Sequence, residues 1–184
     1  MYLVVRRGAI EELDRLGQLA GAAAVACLRE FADSHAEAIA EWTPRPGKVV
    51  LRARSPAQWA RVLEEPHAAA SDGVIALPPR RRSERGEALT KIQAMSTELE
   101  PPPEDAPGLV YALNPAIEMS SGKTLAQIAH AAVYAAELGY DVRTAHVIAP
   151  PRFDLPGVVA EVRDAGLTEV PPGTITVRAL VRER

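Results

Sequence analysis

Lys123, Gln127, His130 and Tyr134 stand at i, i+4, i+7 and i+11, so they form one polar stripe if Ser121 to Leu138 is a helix. Leu125, Ile128, Ala129, Ala132 and Val133 make the rest of that helix apolar, and the stripe must face solvent or a cleft. Offsetting negative charge is the chemistry such a stripe could do. Lys123 is the member that a purely structural helix would avoid, because a cation in the first turn opposes the macrodipole. Gln127 also has a structural reading, since Thr124 and Gln127 have capping-box spacing.

A second segment, VRDAGLTEVPPGTITV, carries Asp164 at a predicted strand end, where a polar side chain can leave a sheet and meet a cleft. Strict alternation puts Thr174, Thr176 and Arg178 on one face of the last strand and Ile175, Val177 and Ala179 on the other. Threonine favours strands in any case.

Other chemistries find no support. SSGKT has the lysine of a phosphate loop, but the pattern needs glycine five positions before Gly122 and Ile117 stands there. No G-x-S-x-G elbow is present. His35, His67, His130 and His146 lack metal-ligand spacing, so no metal and no cofactor is expected. The lone Cys27 excludes an internal disulfide framework and a Cys-rich zinc site.

Together, MSSGKTLAQIAHAAV and VRDAGLTEVPPGTITV resemble the type II peptidyl-tRNA hydrolase family, with its G-K-x-x-A-Q-x-x-H-A helix and its later D-A-G-x-T segment ending P-G-T-x-T. The resemblance covers Leu109 to Val181. It implies an α/β fold with a mixed β-sheet flanked by helices, and metal-independent hydrolysis of the ester between a peptide and tRNA. The family's functional residues fall on Lys123, Gln127, Asp164 and Thr176. By this resemblance Asp164 orients or activates water, Lys123 offsets charge on a phosphate or oxyanion, and Gln127 and Thr176 position the ester. His130 packs beneath the site or touches RNA.

The elements that must position these residues follow from the apolar pattern. Leu109 to Leu113, Val142 to Ile148, Val158 to Val162 and Thr174 to Val181 read as strands, around a helix stopped by Gly139. Pro150 to Pro156 is too short for the helix that links the family's second and third strands. In the N-terminal part, Leu3 to Val5 is a short apolar run. Ile10, Leu13, Gly17, Ala20, Ala24, Cys27 and Phe31 then repeat at three and four residues, marking a long helix. A helix-compatible piece runs from Ala88 to Met95.

The Pro-rich run Glu98 to Gly108 reads as a linker, dividing the chain into 1–97, 98–108 and 109–184. Across it the two parts echo each other in order: Leu3 with Leu109, Gly17 with Gly122, Gly47 with Gly139 and Gly73 with Gly157. In that alignment Lys123, Gln127, His130 and Asp164 meet Gln18, Ala22, Val25 and Arg80. The first part therefore reads as a degenerate copy without the site residues, packed on the second as an internal pseudo-dimer. Its Ser55 to Glu65 segment would supply the missing helix.

The 184 residues carry 21 Lys and Arg against 24 Asp and Glu, so no global field draws in a polyanion. Neither part is basic, with 14 basic against 16 acidic residues before Gly108 and seven against eight from it onward. Contact with tRNA then falls to a local patch, and Arg80, Arg81 and Arg82 are candidates for gripping phosphates. No apolar stretch reaches membrane-spanning length and no signal peptide is evident, so a cytoplasmic protein is expected. It would be a monomer with an internal pseudo-dimer, or a homodimer. The competing reading is a weak or inactive family member acting as an RNA- or protein-binding module.

Overall fold

The apolar run behind Met1 forms β1 (Tyr2–Arg6) in a computed structural model that describes residues 1–8 and 10–183. Leu3 and Val5 enter one core from it and Tyr2 and Val4 another, as alternation along a strand requires. The three-and-four repeat becomes the buried face of α1 (Leu13–Glu30), with Leu16, Ala20, Ala24 and Cys27 fully enclosed. Burial pushes the Cys27 thiol up to about 12, so it is no nucleophile. There follow α2 (Ala36–Trp42), β2 (Val49–Ala53) and α3 (Pro56–Leu63), whose first turn is capped by the Ser55 hydroxyl accepting from Gln58 N at 3.2 Å. The first part closes with β3 (Ala68–Ser71), β4 (Val74–Leu77), α4 (Glu87–Thr90) and β5 (Gln93–Ala94).

The second part is β6 (Gly108–Leu113), α5 (Ser121–Glu137), β7 (His146–Ile148), β8 (Val158–Arg163) and β9 (Ile175–Arg182). Both sheets are mixed, in the orders β3-β4-β1-β2-β5 and β7-β6-β9-β8. In each, the first strand pairs in parallel with the strand after its long helix and antiparallel with the last strand of a hairpin. The two connectivities coincide over four strands, and β5 has no counterpart in the second sheet.

Helices α1 and α5 pack on each other between the sheets. Helix α1 reaches β3 and β4 on one side and β7 on the other, while α5 reaches β2 as well as β8 and β9. One core therefore draws on both parts, with Leu3 and Leu16 meeting Tyr111, Leu125 and Ile128. Each fully buried Leu or Ile there stabilises by roughly 1.5–3 kcal/mol. Close approach of the helices needs small residues. A Cβ on Gly17 would lie 2.5 Å from Val147 Cγ2, and one on Gly21 would lie 2.7 Å from Ala132 Cβ.

Several expectations need correction. Val142 to Ile148 is not one strand: Asp141 accepts from Arg143 N at 3.0 Å and starts a 3₁₀ turn at Val142–Thr144, so β7 begins only at His146. Ala88 to Met95 is not one helix either, since it breaks after Thr90 and pairs with β2 through Gln93 and Ala94. The Pro-rich linker is docked. Glu100 N donates to Glu11 O at 2.8 Å and Ala149 N to Pro103 O at 2.9 Å, tying it to both parts.

The echo is also misregistered. β1 pairs Val4 with Leu51 and β6 pairs Val110 with His146, so β2 corresponds to His146–Ile148 rather than to the segment directly after Gly139. Likewise β4 occupies the place of β9, not of β8. Short apolar strings after glycine align by hydrophobicity alone, which carries no topological information. Helix α3 does not cover the second sheet. With Trp59 and Val62 it packs on Tyr2, Val4 and Leu51 of its own sheet, while Phe153 and Leu155 of the Pro150–Pro156 segment pack on Val110, Ala112, Ile148 and Leu180. Among the described residues no helix is long and apolar enough to cross a membrane.

Candidate functional site

The site forms where the first turn of α5 meets the ends of β8 and β9. Ser120 caps the helix, its Oγ accepting from Lys123 N at 3.3 Å. The Glu169 carboxylate takes both Ser120 N–H and O–H at 2.7 Å, anchoring that cap to the loop after β8. The capping-box reading of Gln127 is thereby replaced: Thr124 donates its hydroxyl to Ser120 O at 3.0 Å, and the Gln127 amide points elsewhere. Gly122 lets this turn approach the preceding chain, since a Cβ there would sit 2.5 Å from Met95 O.

Asp164 is the hub. It follows β8 directly, and its backbone is fixed by Asp164 N to Thr174 O at 2.9 Å and Gly173 N to Asp164 O at 2.8 Å. Gly166 adopts φ +74°, which brings its N–H to Asp164 Oδ1 at 2.8 Å. Oδ2 receives both the Lys123 ammonium and Gln127 Nε2, the latter at 2.7 Å. Burial alone would raise the Asp164 pKa, but the Lys123, Gly166 and Gln127 donors outweigh it and hold the carboxyl below its ordinary 3.8. An ionised carboxylate set against Lys123 also offsets the unfavourable cation at the helix start.

Thr176 lies behind Gln127. Its hydroxyl donates to Gln127 Oε1 at 2.9 Å, and the residue is wholly enclosed. Strict alternation fails here. Val162 pairs with Val177 and Arg163 with Ile175, leaving Thr176 as the extra residue of a β-bulge. The bulge turns Thr176 toward α5, whereas Arg178 goes to the opposite face, 4.5 Å over the Phe153 ring and bonded to Glu161. Thr176 and Arg178 do not share a face.

Lys123 Nζ also donates to Thr168 Oγ1 at 3.0 Å. Among the described residues two of its three N–H bonds are thus spent, which leaves one for a ligand oxygen. Thr168 belongs to the DAGLT segment but was not singled out from the sequence, and Glu169, which acts through Ser120, left no signal there.

His130 is 9% exposed and accepts at Nδ1 from Lys48 Nζ at 2.9 Å. Burial, then the Lys48 and Lys123 charges, lower its pKa to about 2, so the ring is neutral. Burial likewise brings Lys48 down to about 7, against the opposing pull of Glu137. Lys48 belongs to the first part, and no sequence pattern singles it out. Tyr134 stands one turn on, its ring centroid 6.4 Å from that of His130.

The arginine loop is not gathered into this cluster. Arg80 pairs with Glu65 at 2.8 Å and Arg81 with Glu41 at 2.6 Å, so both guanidinium groups already have carboxylate partners; Arg82 is exposed. No hydrogen bond or ion pair links the three to Lys123 or Asp164 among the described residues. No group of three or more His, Cys, Asp or Glu suited to a metal ion occurs among the described residues. Compared with protein-family models, curated proteins and solved structures, the chain matches none.

Proposed function

We propose that the chain is a peptidyl-tRNA hydrolase of the type II kind, cleaving the ester between a peptide and the terminal ribose of tRNA without a metal. What supports this most is the meeting of Lys123, Gln127 and Asp164 at one carboxylate oxygen, with Thr176 behind them. Two motifs separated by 28 intervening residues in sequence would have no reason to share one buried hydrogen-bond network unless that network had a task.

In this reading water adds to the ester carbonyl carbon and loses a proton, and the carbon–oxygen bond to ribose breaks as the ribose oxygen gains one. The free N–H of Lys123 faces the developing oxyanion, worth a 10²–10³-fold effect on rate in comparable sites, to about that order. Asp164 is a weak base at a depressed pKa. Its part is to fix Lys123 and orient the water. Gln127 and Thr176 act as positioning residues, Thr176 through the Gln127 amide.

The first part is, on this proposal, a decayed copy of the second, and the pair is an internal pseudo-dimer. The coinciding strand orders and the shared core support it. Peptide release from peptidyl-tRNA, abolished in Asp164→Asn and Lys123→Ala, tests the activity.

A further inference from the structure

We infer that Arg52, carried by the first part, takes a phosphodiester of the RNA 3′ end whose ester lies at Lys123. The inference rests on the hydrolase reading for the identity of the anion, and on the sheet register for the site.

Alternation and pairing put Arg52 on the inner face of β2. It stands beside Val5, whose side chain enters the shared core, and its place in the sheet matches that of Val147 beside Tyr111 in the second part. Val147 is wholly enclosed, so an apolar residue is what packing asks for here. Arg52 is instead a charge only 8% exposed, and among the described residues its guanidinium makes no hydrogen bond and no ion pair. Arg178 on β9, by contrast, bonds to Glu161 and to Phe153 O. The enclosed polar atoms left without a partner are Arg85 Nε, Tyr111 Oη and Ser121 Oγ; no Arg52 nitrogen is among them, so solvent reaches its head. An unpaired guanidinium at a core position, open to solvent at its tip, is a fork set for an oxyanion, and it keeps its charge at neutral pH.

The first turn of α5 lies alongside. Val50, two residues before Arg52 and about 7 Å from it along the strand, accepts at its carbonyl from Met95 N at 2.9 Å. Met95 O in turn lies so near Gly122 that a Cβ there would be 2.5 Å from it. Helix α5 packs on β2 as α1 packs on β7, and Gly17 of α1 meets Val147 directly. Arg52 and the turn that carries Lys123 therefore lie together at the junction of the two parts. In the ester substrate the last phosphodiester is one ribose away from the reacting carbonyl, so a cation in this place has a phosphate to take. Arg80 and Arg81, committed to Glu65 and Glu41, do not supply that cation. The first part, lacking counterparts of Lys123 and Gln127, then contributes to binding instead of chemistry.

The test is fluorescence anisotropy with a short labelled RNA ending in CCA-3′ and carrying no peptide, across a salt series. Arg52→Met should weaken binding about tenfold and flatten the log–log salt slope by about 0.7, as loss of one phosphate contact does. Arg52→Lys should keep the slope, since it keeps the charge and loses only the fork. Lys91→Ala, at a surface lysine paired with Glu87, should keep the affinity. In thermal melts Arg52→Met should hold or raise the wild-type midpoint, because the matching Val147 is apolar. If that variant fails to fold, Arg52→Gln carries the comparison. The subsite is overturned if the uncharged variant keeps wild-type affinity and slope, if the wild type does not bind the RNA, or if inorganic phosphate displaces RNA at equal concentration. Arg52-dependent binding without any peptide release leaves the subsite standing and removes the hydrolase reading. Peptide release with Arg52-independent binding does the reverse.

Discussion

Gln127 Nε2 donates to Asp164 Oδ2 at 2.7 Å while its Oε1 accepts from Thr176 at 2.9 Å, so the amide can stand only one way round. The ionised carboxylate accepts only, so it fixes the Nε2 end, and Oε1 is thereby turned to the Thr176 hydroxyl.

Gln127→Leu should lower kcat for peptide release by about 10²-fold, because it removes one donor from Asp164 and leaves the Thr176 hydroxyl only its longer contact to Val162 O at 3.3 Å. Thr176→Val should act through Gln127 alone. The double variant should then be no worse than Gln127→Leu, and additive losses in a double-mutant cycle would give Thr176 an independent role.

Breaking the Lys123–Asp164 pair should also cost stability, since the two side chains are only 14% and 5% exposed. Asp164→Asn leaves Lys123 without its counter-charge and should lower the unfolding free energy by about 3–5 kcal/mol, read by urea denaturation. The wild-type contribution is linked to pH. It is fully present above the ordinary 3.8 and is lost as pH falls through the lower folded value, so the deficit of Asp164→Asn should shrink in acid.

His130 should dominate a different window. The folded imidazole takes a proton only near pH 2 whereas an ordinary histidine does so at 6.5, so below 6.5 protons bind the unfolded chain first. Wild-type stability should fall as pH drops from 6.5, and His130→Asn, which keeps an acceptor for Lys48, should flatten that limb. An unchanged limb would place the titrating group elsewhere.

The shared core makes two packing predictions. Gly17→Ala should destabilise by about 1–3 kcal/mol, because Val147 and Ile128 must give way to the added methyl. Tyr111→Phe should be neutral or stabilise by about 1 kcal/mol, since the enclosed Tyr111 hydroxyl has no hydrogen-bond partner among the described residues. Thermal unfolding of both variants checks them together.

Which parts of this site were readable in advance follows from range. Lys123, Gln127 and His130 share a helix face by spacing alone, and Asp164 was visible as a polar residue at a strand end, because both signals are local. Thr176 was placed on the wrong face, since a β-bulge is decided by cross-strand pairing that alternation cannot register. Lys48 was missed because its partner lies 82 residues away. The repeated connectivity was legible only through the first strand and the long helix: β2 was matched out of register, and β4 resembles β8 in sequence yet sits where β9 does. The linker's prolines announced irregular backbone correctly and gave no hint that Glu100 and Pro103 would be bonded to the two parts it joins.

If Lys123 and Asp164 serve hydrolysis of the peptide–ribose ester, as proposed, release of labelled peptide from peptidyl-tRNA by purified protein measures it. Metal-independent, multiple-turnover release is expected from the wild type, reduced about 100-fold or more in both Asp164→Asn and Lys123→Ala, at a temperature where both remain folded. No release by wild type at micromolar enzyme, or equal release by all three, would contradict it.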